Sequence, residues 1–213
     1  MERFEDLDAV ARRLENTVAW DGALGIGTGA AAFNFASQLA TRLAEHIRYI
    51  YAAAPSAPSS QLAAQRDIDL AAADTLDWAI VAAKQVDEHG RFILEGDNGI
   101  NRDKLLVEYA TNVCVVCSAA PGTLDLARDA SVDIEVTPFA RSLVGRRVAA
   151  MGCNPYFQPE RLSHDQNAML RLDGLDLTNA AAVEKTLNET AGIVSAGIVS
   201  QKPATILFQL PAD

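Results

Sequence analysis

An α/β fold is the class this sequence predicts: a mostly parallel sheet with helices on both faces, plus a small α+β unit. Three observations predict it. Short runs that are apolar on both faces, Trp78-Ala-Ile-Val-Ala82 and Val113-Cys-Val-Val-Cys117, alternate with segments of helical period, the pattern of strands buried between helix layers. A glycine-rich turn, Ala23-Leu-Gly-Ile-Gly-Thr-Gly-Ala-Ala-Ala32, joins an apolar strand to a helix. Near Ala130 the texture changes, and Val132, Ile134 and Val136 alternate with Asp133 and Glu135, which reads as a half-exposed strand.

Each element follows from local pattern. Leu7, Val10, Ala11, Leu14 and Val18 recur at helical spacing and give an amphipathic first helix. Asp21-Gly22 turns the chain into the strand ahead of the glycines, and a helix over Ala30–His46 follows with Phe35, Leu39 and Leu43 on one stripe. A strand over Ile47–Ala53 leads to a Pro/Ser/Ala-rich link, Ala54–Ser60, and a short helix, Gln61–Arg66. After the strand at Trp78 comes a short one at Arg91–Leu94, the loop Glu95–Gly99, a helix from about Arg102 to Asn112 and the strand Val113–Cys117. Beyond Val136, Thr137-Pro138 opens a helix that Gly152 closes. Strand Ala168–Leu172, helix Ala180–Thr190 and strand Gly192–Val199 complete the small unit, and Ala204–Gln209 is a last strand able to rejoin the first sheet. The expected division is a main unit of residues 1–130 and 200–213, carrying the glycine loop, and a small unit of residues 131–199.

Composition narrows the function. At 213 residues, 49% hydrophobic and 22% charged, the chain is long enough to bury a core. The net charge of −10, with Lys and Arg scattered, excludes nucleic acid as the main partner. No apolar run reaches the roughly 18 residues that span a bilayer, and the acidic start Met1-Glu-Arg-Phe-Glu-Asp6 has no signal-peptide core. The expectations are a cytoplasmic location and no membrane partner. Cys114 and Cys117 lie three apart on a strand and face opposite sides. They read as core residues, and with no second Cys or His pair no metal site is expected. His89 and His164 sit in polar turns and read as surface residues.

Three glycines at Gly25, Gly27 and Gly29 let the loop turn sharply and approach a bound group, and the helix behind it offers free N–H donors to an anion. Gly25, Gly27, Thr28, Gly29, Ala30 and Ala31 are the candidate phosphate-binding residues. A dinucleotide site needs an acid at the end of the second strand, where this chain has Tyr51-Ala-Ala-Ala54. A Walker loop needs a Gly-Lys-Ser/Thr that is missing. No cofactor is expected.

The loop, together with Arg102-Asp-Lys104, Ile134-Glu-Val-Thr-Pro-Phe-Ala-Arg141 and Asp165-Gln-Asn167, resembles the type A ribose-5-phosphate isomerase family over nearly the whole chain. The resemblance implies a Rossmann-like main unit, a homodimer or dimer of dimers, and a sugar or sugar phosphate as the small-molecule partner. It also implies isomerisation of ribose 5-phosphate and ribulose 5-phosphate through an enediol, without metal or cofactor.

By the same resemblance, much of the chemistry is replaced. The family's D-G-A-D-E falls on Val81-Ala-Ala-Lys-Gln85, its lysine on Leu94 and the following glycines on Glu95-Gly-Asp-Asn98. The degenerate positions are thus Val81, Leu94, Glu95 and Asp97. The base position is Asp103, one methylene shorter than glutamate, and a reach shortened by about 1 Å alone costs ~100-fold in rate. Lys84 is a candidate replacement cation. Ala30-Ala31 stand for a Ser-Thr pair, Ser118–Gly122 lack the family's Ser-Lys, Leu7 replaces a basic residue, and Ala52–Pro55 replace a serine-rich loop. Asp103 also reads as one member of a charge cluster at a helix start, and Glu95, Asp97 and Asn98 as a sparse oxygen set for a cation. Three functions follow: a weakened or inactive relative, an active isomerase of this or a related sugar with a rebuilt site using Asp103 as base, and a non-catalytic ligand-binding or regulatory subunit.

Overall fold

The computed structural model describes residues 1–18, 22–42, 47–52, 76–95, 99–117, 126 and 130–210, with backbone alone at 40, 41 and 47–52. The link at 54–60, the helix expected at Gln61–Arg66, and Asp97, Asn98 and Ser118–Gly122 lie outside the described residues.

Strands are β1 (Glu2–Phe4), β2 (Gly22–Ile26), β3 (Ile47–Ala52), β4 (Leu76–Val86), β5 (Phe92–Leu94), β6 (Ala110–Cys117), β7 (Val132–Val136), β8 (Asn154–Leu162), β9 (Ala168–Asp173), β10 (Ile193–Ala196), β11 (Ile198–Val199) and β12 (Ile206–Gln209). Helices are α1 (Leu7–Glu15), α2 (Ala30–Arg42), α3 (Ile100–Tyr109), α4 (Arg141–Ala149, entered by the 3-10 turn Pro138–Ala140) and α5 (Ala180–Asn188).

The large sheet has eight strands in the order β1-β12-β6-β4-β2-β3, all parallel, with β5 antiparallel to β4 and β11 antiparallel to β5. It is mostly parallel, as its continuous apolar runs predicted, and the last strand does rejoin it. Trp78, Ile80 and Cys114 pack under α1 and α2, while Val81, Val115 and Cys117 pack on the other face with α3 residues such as Val107. The two cysteines therefore take opposite faces. The order in which strands are added reverses at the parallel neighbours β2 and β4: β2 leads outward to β3, and β4 leads to β6 on the other side. Outside the carboxyl ends of such strands an open α/β sheet has its crevice, and the glycine loop sits there.

A second sheet is antiparallel, β10-β7-β9-β8. Here the structure corrects the sequence. The half-exposed strand expected at 132–136 is buried along its whole length. Val132, Ile134 and Val136 face this sheet's own core, and Asp133 and Glu135 are buried with polar partners supplied by β4, α3, β8 and β9. Alternation of acid and aliphatic signals water on one face only when nothing packs there. Strand β8 was missed because Pro155 and Pro159 break its pattern; proline is tolerated on an edge strand, which β8 is. The single strand expected over Gly192–Val199 is two, split at Gly197. There the chain leaves the small sheet for the large one, and a Cβ on Gly197 would stand 2.9 Å from the Asp133 carbonyl oxygen. Strand β1 also went unread; it is three residues long and, among the described residues, pairs with β12.

The helix expected over Ala30–His46 is described to Arg42, and the one expected to Asn112 ends at Tyr109, because β6 already pairs with β4 from Ala110. Asp6 caps α1, accepting from the N–H groups of Asp8 and Ala9. Among the described residues no helix is long and apolar enough to cross a membrane.

Candidate active site

The glycine loop closes over the ends of β2 and β4. None of Gly25, Gly27 and Gly29 has a left-handed φ, so space, rather than backbone conformation, makes them glycines. A Cβ on Gly29 would stand 2.7 Å from the Ala82 Cβ, and one on Gly27 3.1 Å from Asp103 Oδ1 and 3.2 Å from Val81 Cγ1. The Gly27 N–H donates to the Ile80 carbonyl at 2.8 Å, tying the loop to β4.

Asp103 rises from the first turn of α3 into this loop. Its Oδ1 accepts from the Thr28 N–H at 2.7 Å and its Oδ2 from the Thr28 hydroxyl at 3.0 Å. Asp103 is 0% exposed. Two of the donors expected to hold a phosphate, the N–H and hydroxyl of Thr28, thus hold a carboxylate of the chain itself. Gly99 before the helix is forced by the same closeness, since a Cβ there would lie 2.2 Å from the Thr28 methyl. Val81 and Leu94 are both fully buried in one apolar cluster at this end of β4 and β5. Val81, Asp103 and Thr28 therefore meet around Gly27, with Leu94 in the cluster beside them. Ala30 is exposed and Ala31 half-buried, on the first turn of α2. Glu95 is exposed and continues the β5 hairpin, its N–H donating to the Ala82 carbonyl.

Lys84 belongs to a different group. Its Nζ contacts Asp133 Oδ2 at 2.8 Å, and Arg161 and Arg171 reach the same carboxylate at 3.5 and 3.6 Å. Glu135, its neighbour on β7, accepts from the Asn101 N–H at 2.8 Å and from Asn167 Nδ2 at 3.1 Å. None of Asp133, Glu135, Arg161 and Arg171 was singled out from sequence. The available signal was the pair of acids inside Val132–Val136, which a strand packed on both faces makes buried.

The three charges Arg102, Asp103 and Lys104 diverge. Arg102 pairs with Asp165 in the β8–β9 turn through its Nε, at 3.1 and 3.0 Å to the two carboxylate oxygens, and through Nη2. Hydrogen bonds from that guanidinium hold the Asp165 carboxyl below the usual carboxylate range and raise Arg102 in turn. Lys104 is buried, 2.7 Å from Glu184 of α5, and donates to the carbonyls of Ala196 and Ile198 at 3.1 and 2.8 Å. The start of α3 is thus a hub joining both sheets. His89 is exposed and His164 half-buried, both in turns. Burial pushes the Cys114 thiol far up, so it stays protonated.

The family described as ribose 5-phosphate isomerase A (phosphoriboisomerase A) matches residues 51–212. The chain belongs to that family. Solved structures agree on the fold. Ribose 5-phosphate isomerase A of Neisseria gonorrhoeae is 22% identical, covers 95% of this chain and 91% of its own, and superposes with a TM-score of 0.82. The enzyme of Methanocaldococcus jannaschii is 23% identical, with coverages of 95% and 93% and a TM-score of 0.77. A D-ribose-5-phosphate isomerase in complex with phospho-erythronic acid is 19% identical, covering 94% and 93%, with a TM-score of 0.79.

Proposed function

We propose that this family member has weak or no ribose-5-phosphate isomerase activity and uses the inherited crevice as a binding element for a small sugar or sugar-derived ligand. The observation that carries the reading is that both Asp103 oxygens are engaged by Thr28 in a fully buried setting. An enediol mechanism needs a carboxylate within about 3 Å of the carbon acid, and donors where oxyanion charge develops. Proton abstraction by Asp103 would compete with the two hydrogen bonds it accepts from Thr28. Leu94, where the family resemblance calls for a lysine, has nothing to donate, and Val81 stands in for an acid; losing one oxyanion donor costs about 100- to 1,000-fold in rate. Lys84, the candidate replacement cation, is already paired with Asp133. The proposed main unit, residues 1–130 and 200–213, carries the crevice, and the proposed small unit is residues 131–199.

The test is the conversion of ribose 5-phosphate to ribulose 5-phosphate by the purified chain and its Asp103→Ala variant. The expected result is turnover near background and unchanged by the substitution. The position of Asp103 against Gly27 favours one second reading, a rebuilt isomerase with this acid as base. A rate well above background that falls about 100-fold in Asp103→Ala establishes that reading and overturns ours.

A second copy of the chain, in the cytoplasm, is the proposed macromolecular partner. Supporting it, Phe139 is fully exposed and Leu143, one helical turn on, is 60% exposed, an apolar pair that contact with a second copy would cover. Sedimentation velocity should give a dimer or larger species, and Phe139→Ser should shift it toward monomer; a wild-type monomer rules the proposal out.

A further inference from the structure

We propose that α4 packs antiparallel against α4 of a second copy about a two-fold axis at Gly145, seating Phe139 of each copy in a pocket at Met151 of the other. This pairing rests on the second-copy reading above and specifies its surface. Gly145 lies in the middle of α4, and a Cβ built on it would meet nothing within 4 Å. Glycine inside a helix costs about two- to fivefold in the folding equilibrium relative to alanine. Gly27 and Gly29 are glycines because neighbours crowd them, and Gly152 and Gly174 hold left-handed φ values of 89° and 75°. Gly145 has neither reason within its own chain. A backbone arriving from outside supplies one, because a residue without a side chain lets another helix come close.

The chain on either side of that glycine is self-complementary. Phe139, Leu143, Arg146 and Ala150 are all exposed and recur at the spacing of one helix face. Phe139 stands six residues before Gly145 and Met151 six after, roughly 9 Å along the axis on either side. In a two-fold contact one patch serves both copies, and residue i meets j as j meets i. An antiparallel pair crossing at Gly145 therefore sets each Phe139 over the other copy's Met151, and each Leu143 against the aliphatic stem of Arg147. Met151 lines a cavity of about 310 Å³ with Ala182, Val183 and Thr186 of α5 and with Asp176. About 150 Å³ holds a benzene ring, so there is room for the Phe139 side chain. Among the described residues that line it, Asp176 is an acid and none is a cation, which suits Arg141, two residues after Phe139. The helix itself carries Arg141, Arg146 and Arg147 and no acid, so two such helices repel until salt screens them.

Sedimentation velocity on the full chain tests the pairing. Gly145→Leu should weaken association about 10-fold or more. The urea midpoint of the dilute chain should be no lower than wild type, since nothing stands within 4 Å of that Cβ and leucine favours a helix. A glycine with a purely internal role would move the urea midpoint and leave association alone. Thr186→Trp fills the cavity from an exposed position on α5 and should weaken association to a similar degree; it stands as the test if leucine disturbs α4. Added salt should strengthen association. A wild-type monomer removes the second-copy reading and this pairing with it. An oligomer that Phe139→Ser disperses but Thr186→Trp or a folded Gly145→Leu leaves intact keeps that reading and overturns the pairing. Association that weakens with salt overturns it as well, because α4 would then be docking on an acidic surface.

Discussion

Asp103 and Asp133 are both buried carboxylates on elements that border the crevice, and they are satisfied in opposite ways. Asp103 is held by two neutral donors from one residue, the N–H and hydroxyl of Thr28. Asp133 is shared by three cations from three strands, β4, β8 and β9. In the first arrangement a chain carboxylate occupies the N–H and hydroxyl of Thr28, which are then closed to an outside anion. In the second, cations from three strands converge on one acid. What a polar site can bind is set by the balance left after internal pairing rather than by the residue types that line it. Lys84 read alone from the sequence looks like a catalytic cation, yet its nearest charge is Asp133.

The largest effect should come from breaking the second arrangement. Asp133→Ala removes the acid at the centre and leaves Lys84, Arg161 and Arg171 facing one another. Removing one partner from a buried ion pair costs about 3–5 kcal/mol, most of it from the charge left behind. Urea unfolding should show a loss in that range, reduced because Arg171 is 41% exposed and partly hydrated. A loss below about 1 kcal/mol would mean the cluster is a solvated surface patch, and the contrast with Asp103 would fail.

Next in size is the first arrangement. Asp103→Ala strips the acceptor from the Thr28 N–H and hydroxyl, and leaving buried donors unpaired costs about 1–3 kcal/mol each. The same substitution empties a set of donors suited to an anion. Phosphate should then raise the melting temperature of Asp103→Ala and have little effect on the wild type, since a ligand that binds only the folded form stabilises it by mass action. Equal phosphate stabilisation of both proteins would show that the Asp103 carboxylate does not occupy the anion position.

These two carboxylates also mark where reading the sequence succeeded and where it stopped. The strands at Trp78 and Val113 and the helix at Ala30 were legible because their apolar periods record which faces are covered. The convergence of Val81 and Asp103 on the glycine loop followed once the chain was laid along the family pattern. The partner of each acid was not legible. Thr28 and Asp103 are 75 residues apart, Lys84 and Asp133 49 apart, and no local pattern records such pairings. The acids of Val132–Val136 misled because period two reports only that the faces differ; here both are dry, one apolar and one ion-paired. The glycines were expected to approach a bound group; the groups that the fold brings against them are Asp103, Val81 and Ala82, whose identity depends on the fold.

The smallest effect separates these buried carboxylates from an exposed one. Arg102 and Asp165 make a multiply hydrogen-bonded pair with side chains 26% and 37% exposed, and surface pairs contribute at most about 1 kcal/mol. The guanidinium lowers the Asp165 carboxyl in the folded protein, so the folded state binds this proton less readily than the unfolded chain. Its contribution is then complete at pH values above the unfolded carboxylate range, near 4, and is lost as the pH falls through the lower folded value. Arg102→Gln should accordingly unfold at slightly lower urea than wild type at pH 7, and the two curves should converge in acid once Asp165 is protonated in the folded protein as well. A difference that persists or grows in acid would assign the effect to α3 packing rather than to the charge of Asp165. That would leave Asp103 and Lys104 as the members of this triplet whose charge fastens α3 to its neighbours.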